Sequence, residues 1–272
     1  MTENLVEQAV PVGWTALSQP GELVVACDFA SAGRPIATFT DLVSLLPPGF
    51  SVWESAPPAF GAESGMDGAA HVERWAGALA TLPVRAVLGF CSGSVYAGMI
   101  ADRIAARQPR PRLVLLDPEP ATPAMMLDFY RERVNRFASV LAPDEVAAAL
   151  RAGEDSVAAS SPPLALAARL RDLCHDVVAP ACERVGLPGS RVTEFVGLAG
   201  SYLHWLAAAI DLPARWPTAH AVNCATPGIG LRSVPPADRA GLVASARYLD
   251  VSHTDLMRSP LTARAVADLL TE

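Results

Sequence analysis

Residues 84–98 read Val84-Arg85-Ala86-Val87-Leu88-Gly89-Phe90-Cys91-Ser92-Gly93-Ser94-Val95-Tyr96-Ala97-Gly98, an apolar run that ends in a Gly-x-Cys-x-Gly core and continues as small residues. Such a run predicts a strand, a sharp turn and a helix, with the turn residue strained so that its side chain stands at the strand end. Side chains two positions before and two after would collide there, so both must be tiny. Gly89 and Gly93 meet that demand around Cys91. The nearby serines do not: Ser92 would have Phe90 and Ser94 at those positions, and Ser94 would have Ser92 and Tyr96. Cys91 is therefore the candidate nucleophile, where serine usually stands, and the chemistry it points to is acyl transfer. The competing structural reading is a buried cysteine at an ordinary strand-helix turn.

Working outward, the chain alternates between strand and helix. Glu22 to Phe29 and Phe50 to Glu54 read as buried strands, and Ile36 to Leu46 and about Ala69 to Leu82 as amphipathic helices, with 57–68 a loop. Val84 to Phe90 is the elbow strand, Val95 to Arg107 its helix, and Leu113 to Asp117 the next strand. This is the pattern of a mainly parallel sheet. It then stops for about a hundred residues. Pro123 to Leu141, Pro143 to Arg151, Pro163 to Val185 and Ser190 to Ile210 are helical stretches punctuated by proline and glycine. Strands return at Ala219 to Cys224 and Ala246 to Val251, and Thr262 to Leu270 closes the chain as a helix. One α/β domain over 1–272 with a helical lid inserted at 121–215 is the expected organisation.

The 272 residues carry a formal charge of −7, which gives no basic field for nucleic acid. All 21 basic side chains are arginine, so Schiff-base lysine chemistry is excluded. Met1-Thr2-Glu3-Asn4-Leu5-Val6-Glu7-Gln8 lacks the layout of a signal peptide, and no apolar run reaches a membrane span, so a cytoplasmic protein without membrane contact is expected. Five cysteines, odd in number, far apart and without a Cys-x-x-Cys pair, argue against a disulfide framework and against a metal site.

A cysteine nucleophile needs a base, because the free thiol is largely protonated at neutral pH. His253 follows a late strand near the C-terminus and fits that role. His71, His175 and His204 lie inside helical patterns and His220 opens a strand. The acid that orients the histidine should leave the end of a sheet strand. Asp117 does so, with Glu119 the fallback. His253 as a loop histidine and Asp117 as a helix cap are the structural alternatives. Oxyanion donors are expected from the backbone of Ser92 and of Ala30, in the loop after the first long strand. Asp28, where that strand gives way to the loop, is expected to project toward the site as well. Met125, Met126, Phe129 and Tyr130 are candidates to line an acyl pocket, or else helix core. Arg131, Arg133 and Arg136 could meet an acidic partner or simply face solvent.

With these residues in place, the chain resembles the thioesterase family of polyketide and nonribosomal-peptide assembly lines, an α/β-hydrolase group. The acid turn Asp117-Pro118-Glu119-Pro120, the histidine phrase Val251-Ser252-His253-Thr254-Asp255-Leu256-Met257 and the order Cys91, Asp117, His253 carry the resemblance, over about residues 20 to 270. It implies an α/β-hydrolase fold with a helical lid. The implied reaction takes a small-molecule acyl group from phosphopantetheine on an acyl or peptidyl carrier protein, through a Cys91 acyl-enzyme, with no cofactor of its own. The acceptor is water, an amine, a hydroxyl or a second thiol. The first loop, Cys27-Asp28-Phe29-Ala30-Ser31-Ala32-Gly33, lacks the family's usual Pro-Gly or glycine run. The cysteine resembles a minority of members and the aminoacyl shuttles between carrier proteins. Dienelactone hydrolases share Gly-x-Cys-x-Gly, but their acid lies further along the chain. A non-catalytic docking partner with the same fold remains the alternative of another class.

Overall fold

The computed structural model describes residues 9–18 and 20–272, so the reading of Met1 to Gln8 lies outside the described residues. Seven strands form one sheet: β1 (Trp14–Ala16), β2 (Gly21–Cys27), β3 (Gly49–Ser55), β4 (Val84–Phe90), β5 (Arg112–Leu116), β6 (His220–Asn223) and β7 (Ser245–Tyr248). Their order across the sheet is β1-β3-β2-β4-β5-β6-β7. Among the described residues only β1 runs antiparallel, on β3, and the other pairings are parallel. The central strands are nearly continuous apolar runs because both faces of the sheet are covered.

The helices are α1 (Phe39–Leu45), α2 (Gly68–Ala78), α3 (Gly93–Ala105), α4 (Pro123–Arg136), α5 (Pro143–Ala158), α6 (Pro163–Arg184), α7 (Gly189–Ile210) and α8 (Pro260–Thr271). Four begin on proline, whose fixed φ suits the first turn and whose missing N–H would have no partner there. One side of the sheet packs Val24, Ala26, Leu88, Phe90, Val114 and Leu116 with Phe39 and Leu42 of α1 and Val266 and Leu269 of α8. No helix among the described residues is long and apolar enough to cross a membrane.

By its internal contacts the chain divides into two compact units. The first contains the sheet and extends up to Pro57, then over Ala69–Pro120 and Leu212–Glu272. The second combines Ala121–Asp211, which holds α4 to α7, with the excursion Pro58–Gly68. That excursion reads as a connecting loop in sequence, yet it is fastened into the helical unit by Ser201 Oγ, which donates to Glu63 Oε1 at 2.8 Å.

Candidate active site

Cys91 stands between the last residue of β4 and the first turn of α3 with φ +48°. That left-handed conformation is uncommon outside glycine and marks stored strain. The flanking glycines are forced by space. A Cβ on Gly93 would lie 2.1 Å from the carbonyl oxygen of Cys27, and one on Gly89 would lie 2.7 Å from Cα of Ser94. Cys91 is only partly exposed. Its surroundings push the thiol up to about 12, first through burial and then through the Glu119 carboxylate, with Arg34 acting in the opposite sense. The thiol donates to Glu119 Oε2 at 3.7 Å and lies 4.0 Å from Ser92 Oγ; His253 is not among its hydrogen-bond partners.

Asp117 follows β5 directly and, like Cys91, has positive φ, +45°. It is fully buried, and both carboxylate oxygens are engaged. Oδ1 accepts the backbone N–H of Cys224 at 2.8 Å, and Oδ2 lies 2.8 Å from Nδ1 of His253. A carboxylate can only accept there, so Nδ1 carries the proton and Nε2 is left as the basic nitrogen. The His253 ring also stacks on Phe90, the neighbour of Cys91, with centroids 5.2 Å apart. His253 opens a short 3-10 helix, and its N–H donates to Thr226 Oγ1 at 2.9 Å. Glu119, the fallback acid in sequence, lies on the thiol instead, and its Oε1 accepts the N–H of Gly230 at 2.9 Å. Burial raises its carboxyl above the ordinary range.

The remaining candidates fall at different places. Ser92 is buried and is the N-cap of α3. Ala30 begins a 3-10 turn, and its carbonyl accepts from Gly33. Asp28 is buried and grips the Arg34 guanidinium, with Oδ2 at 2.7 Å. Arg34 lies over the Phe90 ring, 5.9 Å from its centroid. This ion pair was not apparent from sequence, because the five residues between its members, 29–33, show no regular period.

No family model matches the chain, and no curated protein matches it in sequence. Solved structures do match in shape. The NocB thioesterase domain, in covalent complex with a fluorophosphonate nocardicin G analogue, aligns at 19% identity with a TM-score of 0.57, covering 95% of this chain and 100% of that one. The Vlm2 thioesterase domain, bound with a dodecadepsipeptide, aligns at 17% identity with a TM-score of 0.53, covering 96% and 97%. The fold is that of the α/β-hydrolases.

Within the hydrolase fold, the four proposed acyl-pocket residues lie on α4. Met126, Phe129 and Tyr130 are buried in the helical unit. Phe129 packs on Tyr202 with centroids 4.5 Å apart, and the Tyr130 hydroxyl donates to the Ala149 carbonyl at 3.0 Å. These three side chains serve core packing, and Met125 is half-buried. The neighbouring arginines are engaged as well: Arg131 with Glu154, Arg136 with Glu132 and Arg133 over the Phe129 ring at 4.5 Å. Asp117, Cys224 and His253 bring ligand-type atoms within 4.8 Å of one another, a donor set zinc accepts. A metal would have to displace the Asp117–His253 hydrogen bond, so the arrangement suits an oriented imidazole better than a metal site.

Proposed function

We propose that the protein transfers an acyl group from a carrier-protein thioester through a Cys91 acyl-enzyme. The observation that carries this reading is the strained Cys91 at the β4–α3 turn, one residue from the Phe90 ring that stacks on an Asp117-bound His253. The likeness to thioesterase domains supports the same reaction class. On substrate entry the thiol turns from Glu119 to His253 Nε2 and gives up its proton, and the thiolate adds to the thioester carbonyl. The oxyanion is met by the backbone N–H of Ser92 and a second donor in the loop at Ala30. Collapse expels the phosphopantetheine sulfur, which takes the proton back from His253. An acceptor, either water or an amine, hydroxyl or thiol, then releases the acyl group by the reverse sequence. Asp117 holds the imidazole in its productive tautomer throughout. The phosphopantetheine arm arrives with the carrier, and the scheme uses no resident cofactor.

A silent fold that only docks to a carrier is favoured by one observation, the thiol raised to about 12 with a carboxylate beside it. Intact-mass measurement after incubation with acyl-loaded carrier proteins separates the readings. The wild type should gain the mass of the acyl group, and Cys91→Ala should stay folded and gain nothing. An adduct that persists on Cys91→Ala, or a wild type that never loads, refutes the proposal.

A further inference from the structure

The helical unit contains a second feature that the acyl-transfer scheme does not use. A cavity of about 270 Å³ opens between the Pro58–Gly68 excursion and helices α6 and α7. Phe60, Leu164 and Ala167 form its apolar wall, and Glu63, Arg171 and His204 its polar one. Glu63 is only 7% exposed. Its Oε1 accepts the Ser201 hydroxyl at 2.8 Å, whereas Oε2 has no hydrogen-bond partner among the described residues. A buried carboxylate oxygen left so is costly, and native structures rarely leave one without a purpose.

The basic groups on the wall are directed elsewhere. Arg171 gives its guanidinium to Asp172 at 2.7 Å, and His204 Nε2 lies 2.9 Å from the Met66 carbonyl. Gly200 makes this arrangement possible, because a Cβ there would come within 2.9 Å of Cδ of Arg171. The stem of Arg171 therefore lies along α7, and its charge is not spent on Glu63.

We propose that this cavity binds a small primary amine, with the ammonium on the Glu63 carboxylate and the hydrocarbon body against Phe60, Leu164 and Ala167. An anion would be repelled by Glu63, and a neutral alcohol would leave the carboxylate uncompensated. Calcium or magnesium would need more oxygen ligands than one carboxylate offers. A compact ammonium brings three donors and a full charge. The volume lies just below the roughly 300–1,000 Å³ of drug-sized pockets, which limits the ligand to a few heavy atoms. The inference stands independently of the role given to Cys91.

The test titrates the full chain with n-butylammonium, n-butanol and butyrate, following binding by calorimetry and the His204 ring signals by NMR, with exposed His175 as a reference. Butylammonium should bind and move His204, and the two isosteres should bind at least about tenfold more weakly. Glu63→Gln should weaken butylammonium by a similar factor. Ser201→Ala, which keeps the carboxylate, should retain binding within a few-fold. Butanol binding as well as butylammonium, undiminished binding to Glu63→Gln, or no binding of butylammonium at millimolar concentration overturns the proposal. If Glu63→Gln does not fold, the comparison of butylammonium with butanol on the wild type decides it alone.

Discussion

A carboxylate 3.7 Å from the sulfur of Cys91 works against the thiolate that the proposed attack requires. Removing that charge should lower the thiol pKa, since a like charge at this range commonly shifts a pKa by a unit or more. Glu119→Gln keeps an oxygen for the Gly230 N–H, so the change isolates the charge. Alkylation of Cys91 by iodoacetamide at pH 8 is expected to quicken about tenfold, the thiolate gain from one pKa unit. An unchanged rate would show that Glu119 does not govern the thiol. Asp117→Asn should act differently and depress acyl turnover more than Glu119→Gln does, because it leaves His253 in the wrong tautomer. Steady-state rates of the two variants with one acyl carrier donor make the comparison. The Asp117–His253 pairing was open to sequence reading because each residue follows a stretch expected as a strand, although only β5 is a buried apolar run and β7 is largely exposed. Glu119's contact with sulfur could not, since it depends on the backbone reversal at Asp117, where φ is +45°.

The strand-turn-helix element offers its own test. Gly93→Ala would drive a Cβ to 2.1 Å from the Cys27 carbonyl, a rigid backbone atom, so β2 and α3 must separate. Overpacking of this kind costs about 1–3 kcal/mol, and denaturant melts of the variant should show at least that loss. Melts matching the wild type would mean that the turn has slack. At this scale the sequence was most legible where packing leaves one solution: β4 has the expected bounds, Val84–Phe90. It was less so where a single contact decides. Helix α1 starts at Phe39 rather than Ile36 because Asp41 accepts the Thr38 N–H and fixes a cap there. Helix α5 continues past Arg151, the expected end, to Ala158, and includes Gly153, where a Cβ would meet the Tyr130 ring at 2.5 Å. Strand β1, three residues with two exposed, has no period to read.

For the molecule as a whole, Glu54 links the sheet to pH. It lies one residue before the end of β3, opposite Ala26 of β2, is buried, and is raised from 4.5 to about 8, chiefly by burial and then by Asp28. The folded protein therefore holds a proton that the unfolded chain releases above its ordinary range. The stability this confers is full below about pH 4.5 and is lost as pH rises through about 8. The steepest slope expected from one such group is about 1.4 kcal/mol per pH unit. Urea unfolding between pH 5 and 9 should show the wild type losing stability relative to Glu54→Gln; parallel curves would remove Glu54 as the cause. The global plan was legible because strand-helix alternation gives way to helices alone after Asp117. Membership of the Pro58–Gly68 excursion in the helical unit was not, since the contacts Glu63–Ser201 and Met66–His204 each join residues 138 apart in sequence.

Cys91 is also tied through the main chain to the segment around Asp117, the other positive-φ residue of the site. The N–H of Cys91 donates to the Leu116 carbonyl at 3.0 Å, and the Cys91 carbonyl accepts from the Glu119 N–H at 3.3 Å. Strain on either side of this latch cannot relax without breaking a bond on the other. Cys91 and the carboxylate-bearing turn at 117–119 consequently open to solvent as one event, so that deuterium should enter the amides of Cys91 and Glu119 with a common protection factor.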